Sequence, residues 1–87
     1  MKVVIIDVRE PFEFASGHIN GAINIPPEKF VSGTPEELKN VDKETRLIVY
    51  CRSGSRSNSA IPFFRQMGFT NIENGINQDR LRAKYGV

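Results

Sequence analysis

The sequence has almost none of the residues that build disulfides and metal sites. Its 87 residues contain one cysteine, Cys51, one histidine, His18, and no tryptophan. A single cysteine excludes a disulfide within the chain, and one cysteine with one histidine is a poor ligand set for zinc. The sequence therefore predicts no metal site. It suits a reducing compartment, and we expect a cytoplasmic protein.

Long apolar runs and a strong excess of charge are also missing. The first apolar run ends at Asp7, far short of the ~20 residues of a membrane span or the core of a signal peptide. The 12 basic and 10 acidic residues leave a net charge of +2, which is too small to indicate nucleic-acid binding. We expect neither a membrane nor a nucleic acid as partner, and one globular domain over residues 1–87.

The most informative stretch is residues 46–57, where a β-branched apolar run ends at Cys51 and a small polar loop follows. Residues 46–50 predict a buried strand and residues 58–67 predict a helix. This order directs a helix amino terminus at a thiol on the carboxyl end of a strand. Because helix amino termini stabilise anions and lower thiol pKa values, we interpret Cys51 as a reactive thiolate.

The composition of the loop favours a reactive thiol over the alternative, a small buried hydrophobe. Gly54 allows a positive φ, and the short side chains of Ser53 and Ser55 leave the backbone amides free to converge on an anion. Arg52 and Arg56 offer permanent charge and forked donors to an oxyanion substrate. A solvated surface position is the alternative for each arginine.

The residues around this loop resemble one protein family. Residues 51–57 look like the active-site loop of the rhodanese-like sulfurtransferases, and residues 68–72 are similar to that family's last strand. Four further segments match the family's opening signature in order, namely residues 5–11, 13–14, 17–19 and 21–26. The resemblance covers about residues 3–76, and the conjunction is specific where each motif alone would be weak.

The resemblance implies an α/β fold with a small, central, mostly parallel β-sheet flanked by helices on both faces. The active-site loop would lie between a central strand and the following helix. It also implies sulfane sulfur transfer through a persulfide on Cys51, without a metal or organic cofactor. The donor would be a small anion such as thiosulfate, and the acceptor cyanide, a thiol or a sulfur-acceptor protein.

The resemblance assigns roles to further residues around the thiol. The loop that follows Cys51 would bind the sulfur donor, and other residues near the loop would support it. The donor-binding residues are Arg52, Ser53, Gly54, Ser55 and Arg56, and the supporting residues are Asp7, Arg9 and Ser57. His18 reads as a structural residue rather than as a general base for a hydrolase.

Two other functions stay open at this point. Cysteine phosphatases and arsenate reductases also hold a thiolate in a loop closed by an arginine, but in these enzymes five residues separate the cysteine from the arginine. Four residues separate Cys51 from Arg56, which suits a single sulfur atom better than a tetrahedral phosphate. The other alternative is a non-catalytic rhodanese-like binding module, although such modules usually lack the cysteine.

The continuous apolar run of residues 3–8 predicts a central parallel strand covered on both faces, and residues 22–25 predict a short strand. Elsewhere we expect short helices and one more strand. The patterns predict a helix over residues 10–17, two weak helical pieces over 28–39 with Thr34 capping the second, a strand over 70–73 and a helix over 78–85. Pro62 should kink the helix after the loop or shorten its first turns. Around Gly75 one glycine of the family's pair is missing, as are the aromatic residue that follows the pair and the family's leading helix, which puts the covering of the sheet in question.

Overall fold

A computed structural model describes residues 2–87, and its strands form one parallel sheet. The strands are β1 Val3–Asp7, β2 Ile23–Asn24, β3 Arg46–Tyr50 and β4 Ile72–Ile76. They are ordered β2-β1-β3-β4, and every neighbouring pair is parallel. The continuous β-branched runs therefore occupy the two inner strands, as the sequence predicts for strands that are covered on both faces. The α/β class with a parallel central sheet is confirmed.

Over residues 2–87, four α-helices and one 3-10 helix connect and cover the strands. They are α1 Pro11–Ala15, α2 Pro27–Phe30, the 3-10 helix Glu36–Leu38, α3 Ser55–Gln66 and α4 Gln78–Tyr85. The prediction of a helix capped by Thr34 is wrong. The 3-10 turn has no side-chain cap, because its N-cap position is occupied by Pro35, which has no side-chain acceptor. Glu37, the expected partner of the cap, bonds Lys29 at 2.6 Å.

Alternating residues of the inner strands fill two hydrophobic clusters, one on each face of the sheet. On one face, Leu47 and Val49 of β3 pack with buried residues of the helices, among them Phe30 and Phe64. On the other face, a smaller cluster consists of Ile19, Ile48, Tyr50 and Leu81. Helices thus contribute to the core on both faces.

The face with the smaller cluster is less completely covered. An apolar groove of about 650 Å³ remains there, lined by residues of β1, β2, β3 and the carboxyl terminus. Val3, Tyr85 and Val87 are exposed along it. This groove lies on the sheet, away from the cysteine loop.

Two elements near the loop begin or end at other residues than the patterns predict. Helix α3 begins at Ser55 and runs through the exposed Pro62, so the proline does not delay its start. The first turn is complete, with the Asn58 amide donating to the Gly54 carbonyl at 2.9 Å. Strand β4 extends to Ile76 instead of ending at residue 73, because a register shift opposite Tyr50 lets it continue past Gly75.

Candidate active site

Cys51 lies directly after β3, where the loop of residues 52–54 leads into α3. Its side chain is 1% exposed and forms part of the wall of a cavity of about 590 Å³. The other lining residues come from the loop, from α1 and its flanks, and from α4: Arg9, Phe12, Glu13, Ser16, Arg52, Asn77, Gln78, Asp79 and Arg82. The thiol is thus reached through a polar cavity at the carboxyl edge of the parallel sheet, where ligand sites of open α/β folds lie.

The sulfur of Cys51 accepts hydrogen bonds from the start of α3. The Gly54 amide donates at 3.1 Å and the Ser57 amide at 3.4 Å, while the Ser57 hydroxyl oxygen lies 3.5 Å from the sulfur. Gly54 can turn its amide toward the sulfur because it has a φ of 93°, in the left-handed region that favours glycine. A Cβ there would also lie 3.1 Å from the Ile76 side chain. The expected convergence of loop amides is therefore made by Gly54 and Ser57.

Two opposing effects act on the pKa of Cys51. Burial raises it, because the charged form loses water, whereas hydrogen bonds from the Ser57 side chain and from the amides of Ser57, Ser53 and Gly54 lower it. Together the donors outweigh the burial and lower the pKa from 9.0 to about 7. A large fraction of the sulfur is therefore thiolate at neutral pH, which is the nucleophilic form.

Arg56 does not line the cavity. Its guanidinium makes a bidentate pair with Glu13 of α1, with Nη1–Oε1 and Nη2–Oε2 distances of 2.7 and 3.0 Å. This pair, with a smaller contribution from the Glu10 amide, lowers the pKa of Glu13 to about 2 despite the opposing effect of burial. The predicted donor-binding role of Arg56 stays a prediction, since its forked donors already bind a carboxylate. Sequence reasoning assigned Glu13 no role in the site.

Asp7 and Arg9 form a buried ion pair beside the loop. The Arg9 side chain donates to both carboxylate oxygens of Asp7 at 2.7 to 3.1 Å and to the Gly17 carbonyl at 2.8 Å. Asp7 is 0% exposed and Arg9 is 7% exposed. The pair joins the end of β1 to the end of α1, and Arg9 also lines the cavity. This geometry suits the predicted supporting role.

The remaining predicted loop residues lie at the surface. Arg52, Ser53 and Ser55 are exposed, and Arg52 lines the cavity. Arg52 is therefore the loop arginine in position to contact a small anion that enters the cavity. Its predicted part in donor binding has geometric support that Arg56 lacks.

Strand β4 supports the loop from the side opposite α1. The Cys51 amide donates to the Ile76 carbonyl at 3.1 Å, and Asn74 contacts both Gly54 and Ser57. Ile76 has a φ of 72°, which is unusual for a β-branched residue. Sequence reasoning missed Asn74, because nothing in its local pattern indicates a contact 17 residues away.

His18 lies against α1 rather than among the residues that line the cavity. Its ring stacks on Phe14 at 3.6 Å, and its Nδ1 is 2.8 Å from the Phe14 carbonyl oxygen. Over residues 2–87, no cluster of three or more His, Cys, Asp or Glu side chains is arranged to hold a metal ion. In the same range, no helix has the length and apolarity needed to cross a membrane.

Fold and site together define a parallel α/β domain with an activated cysteine at the carboxyl edge of its sheet. Residues 1–78 match the family model of the rhodanese-like domain, and the chain belongs to this family. The family assignment that the motifs indicate is therefore confirmed.

Relatives with sequence similarity fall into two groups by name. The chain is 37% identical over 73 residues to the thiosulfate sulfurtransferase PspE of Escherichia coli, covering 79% of this chain and 64% of that protein. It is 32% identical over 88 residues to the tRNA uridine(34) hydroxylase of Sodalis glossinidius, covering 95% of this chain and 25% of that protein. The chain thus spans only a quarter of the hydroxylase.

Solved structures agree on the fold. A rhodanese with anions from E. coli superposes with a TM-score of 0.76 at 33% identity, covering 90% of this chain and 89% of that one. A human single-domain sulfurtransferase superposes with a TM-score of 0.74 at 26% identity, covering 95% and 83%.

Proposed function

We propose that this protein is a sulfurtransferase that carries sulfane sulfur as a persulfide on Cys51. The observation that carries the proposal is the Cys51 sulfur itself, bonded by the amides of Gly54 and Ser57 in the wall of an accessible polar cavity. The sulfurtransferase PspE and the human single-domain sulfurtransferase support it as relatives.

In the first step the Cys51 thiolate attacks the outer sulfur of thiosulfate. The new bond joins the Cys51 sulfur to the sulfane sulfur, and the sulfur–sulfur bond of thiosulfate breaks. Sulfite leaves with the bonding electron pair, and Cys51 becomes a persulfide. Arg52 would bind the anionic donor, and the amides of Gly54 and Ser57 would stabilise the negative charge on the bound sulfur.

In the second step a thiophilic acceptor takes the sulfur from the persulfide. Cyanide would yield thiocyanate, and a thiol or a sulfur-acceptor protein would become a persulfide. The Cys51 thiolate is regenerated with the bonding electrons, so no net oxidant or reductant is consumed. Two half-reactions with a covalent intermediate predict ping-pong kinetics.

The position of Arg56 supports sulfur transfer over phosphate hydrolysis. A thiolate phosphatase needs the arginine that closes its loop to bind the equatorial oxygens of the phosphate. Here Arg56 is paired with Glu13, and four residues separate it from Cys51. Because Arg56 is held by Glu13, fewer donors remain for the phosphoryl group that a phosphatase places directly over the sulfur, whereas thiosulfate presents only its outer sulfur there.

The test is thiosulfate:cyanide sulfurtransferase activity, read as thiocyanate, together with the mass of the protein after exposure to thiosulfate. We expect thiocyanate from the unmodified chain, none from Cys51→Ser, and a mass gain of one sulfur only when Cys51 is present. The rate should rise with pH through about 7, because the thiolate is formed as the Cys51 proton leaves. Ser59→Ala, exposed on α3, is the matched control and should keep full activity.

Parallel assays separate the competing functions. Phosphate release from an aryl phosphate that depends on Cys51, without thiocyanate, would favour a phosphatase. Modification of uridine in transfer RNA that depends on Cys51, again without thiocyanate, would favour the activity named for the hydroxylase relatives. No reaction in any assay and no added sulfur on Cys51 would favour a binding module.

A further inference from the structure

Asn74 on β4 makes three hydrogen bonds into the cysteine loop and its surroundings. Its Oδ1 accepts from the Ser57 hydroxyl at 2.7 Å and from the Ile76 amide at 3.0 Å. Its Nδ2 donates to the Gly54 carbonyl at 3.1 Å. The side chain thus connects β4 to Gly54 and Ser57, two of the residues whose amides donate to the Cys51 sulfur.

The two backbone partners fix the orientation of the Asn74 amide. The Ile76 N–H can only donate, so it requires Oδ1, and the Gly54 carbonyl can only accept, so it requires Nδ2. A flipped amide would lose both bonds. The atom 2.7 Å from the Ser57 hydroxyl is therefore an oxygen without a hydrogen, and the hydroxyl must supply the hydrogen of that bond.

A serine hydroxyl has one hydrogen, and three acceptors surround that of Ser57. They are Asn74 Oδ1 at 2.7 Å, the Gly54 carbonyl at 3.1 Å and the Cys51 sulfur at 3.5 Å. Asn74 is the nearest of the three. While the hydrogen points to Asn74, the contact between Ser57 and Cys51 is satisfied only when the thiol donates its own hydrogen to the hydroxyl oxygen.

We propose that Asn74 is a positioning residue for Cys51, which competes with the thiolate for the single hydroxyl hydrogen of Ser57. In the thiol state, Cys51 donates to Ser57 and Ser57 donates to Asn74. On ionisation the Cys51 proton leaves to solvent, and the Ser57 hydrogen turns from Asn74 to the sulfur, since a charged acceptor binds a hydrogen more strongly than a neutral one. Asn74 thereby opposes ionisation while it holds the loop in place.

Charged residues from several elements line the cavity that the sulfur of Cys51 also lines. Arg52 lies on the loop, Arg9 and Glu13 lie on the α1 side of the cavity, and Asp79 and Arg82 lie on α4. Arg56 acts on Cys51 as a charge from the first turn of α3, although it is paired with Glu13. The variants below change none of these residues, so the comparison between variants isolates Asn74 and Ser57.

The proposal is tested by the pKa of Cys51, measured from the pH dependence of alkylation by iodoacetamide. No sulfur donor is needed, and the single cysteine makes the rate specific, so the result is independent of the proposed sulfur transfer. We expect Asn74→Ala to lower the pKa by about half a unit, because the released hydroxyl can donate to the thiolate. Ser57→Ala should raise it, and Asn74→Ala should have no further effect in the Ser57→Ala background.

A second variant keeps the test decisive if Asn74→Ala folds poorly by circular dichroism. Asn74→Asp keeps an acceptor for Ser57 and Ile76 and binds the hydroxyl hydrogen more strongly, so it should raise the pKa of Cys51. The rise should be larger with Ser57 than with Ser57→Ala. If Asn74 only held the loop in place, Asn74→Ala and Asn74→Asp would shift the pKa of Cys51 in the same direction. That result, or an effect of either variant that is the same with and without the Ser57 hydroxyl, would overturn the proposal.

Discussion

The cysteine loop is supported on its two sides by different kinds of contact. On the α1 side the supports are two arginine–carboxylate pairs, Asp7 with Arg9 and Glu13 with Arg56. On the β4 side they are neutral, consisting of the side-chain amide of Asn74 and the backbone of Ile76.

The difference indicates that the two sides affect the Cys51 thiolate in different ways. Charged supports act at a distance and change with pH, so the α1 side contributes to the electrostatics of the cavity. Neutral supports act through contact and backbone conformation, so the β4 side fixes where the loop amides point. The two pairs on the α1 side also differ in burial. The pair of Asp7 and Arg9 is buried, whereas the Arg56 side chain of the other pair is 40% exposed.

The largest expected effect comes from breaking the buried pair of the α1 side. Arg9→Met leaves the carboxylate of Asp7 buried without its cation, and the loss of one partner of a buried pair costs about 3–5 kcal/mol. We expect the free energy of unfolding, measured by urea denaturation, to fall by that amount. Methionine keeps most of the length of the side chain and removes its charge.

The matched control adds Asp7→Asn to the Arg9→Met variant. Because the buried charge is then gone, a part of the lost stability should return. If the double variant is no more stable than Arg9→Met alone, the cost lies in the lost contacts of the guanidinium, such as the one with Gly17, and not in the uncompensated charge.

The next effect breaks the β4 side. A Cβ at Gly75 would lie 2.8 Å from Leu81 and 3.0 Å from Ile48, both buried. Gly75→Ala should therefore lower the free energy of unfolding by about 1–3 kcal/mol through overpacking. In a Leu81→Ala background the alanine enters vacated space, so the same substitution should cost much less. An equal cost in both backgrounds would place the strain in the backbone of residue 75.

Some elements of the fold that depend on local sequence patterns were predicted with the correct bounds. Strand β3 and helix α4 have the expected bounds, because a continuous apolar run and the capping residue Asn77, whose side chain accepts from the Arg80 amide at 2.8 Å, are local signals. The rhodanese-like family was likewise evident from motifs. Strand β4 was misplaced, because its extension depends on a register shift against Tyr50.

The partners of the loop residues were beyond local patterns. Arg56 and Glu13 are 43 residues apart, so their pairing depends on how α1 and α3 are brought together across the sheet. Sequence composition indicated a loop with two free arginines, whereas in the structure Arg56 is paired with Glu13. The contacts of Asn74 with Gly54 and Ser57 could not be predicted either, because a polar residue in a strand does not indicate which residues it will bond.

A smaller effect tests the exposed pair of the α1 side. Glu13→Gln keeps the shape and an acceptor for the Glu10 amide but loses the charge, and we expect a loss of up to about 1 kcal/mol at neutral pH. Because folding lowers the pKa of Glu13 from 4.5 to about 2, its contribution is complete above about pH 4.5 and is lost as the pH falls toward 2. The stability difference between the two proteins should therefore be constant above pH 4.5 and vanish toward pH 2. A difference that persists at low pH would mean that Glu13 acts through packing.

The smallest net effect is expected at Ile76, where the β4 side holds a β-branched residue at a φ of 72°. Ile76→Gly removes a conformational cost of about 1–2 kcal/mol, but it loses the half-buried side chain of Ile76 and makes the unfolded chain more flexible. These terms nearly cancel, so the free energy of unfolding should change by less than about 1 kcal/mol. Ile72→Gly is the matched control, since Ile72 is also half-buried on β4 but has no positive φ, and its cost should be about 1–2 kcal/mol larger. Equal costs at the two positions would mean that Ile76 holds its conformation without strain, and that β4 supports the loop through hydrogen bonds and not through a strained residue.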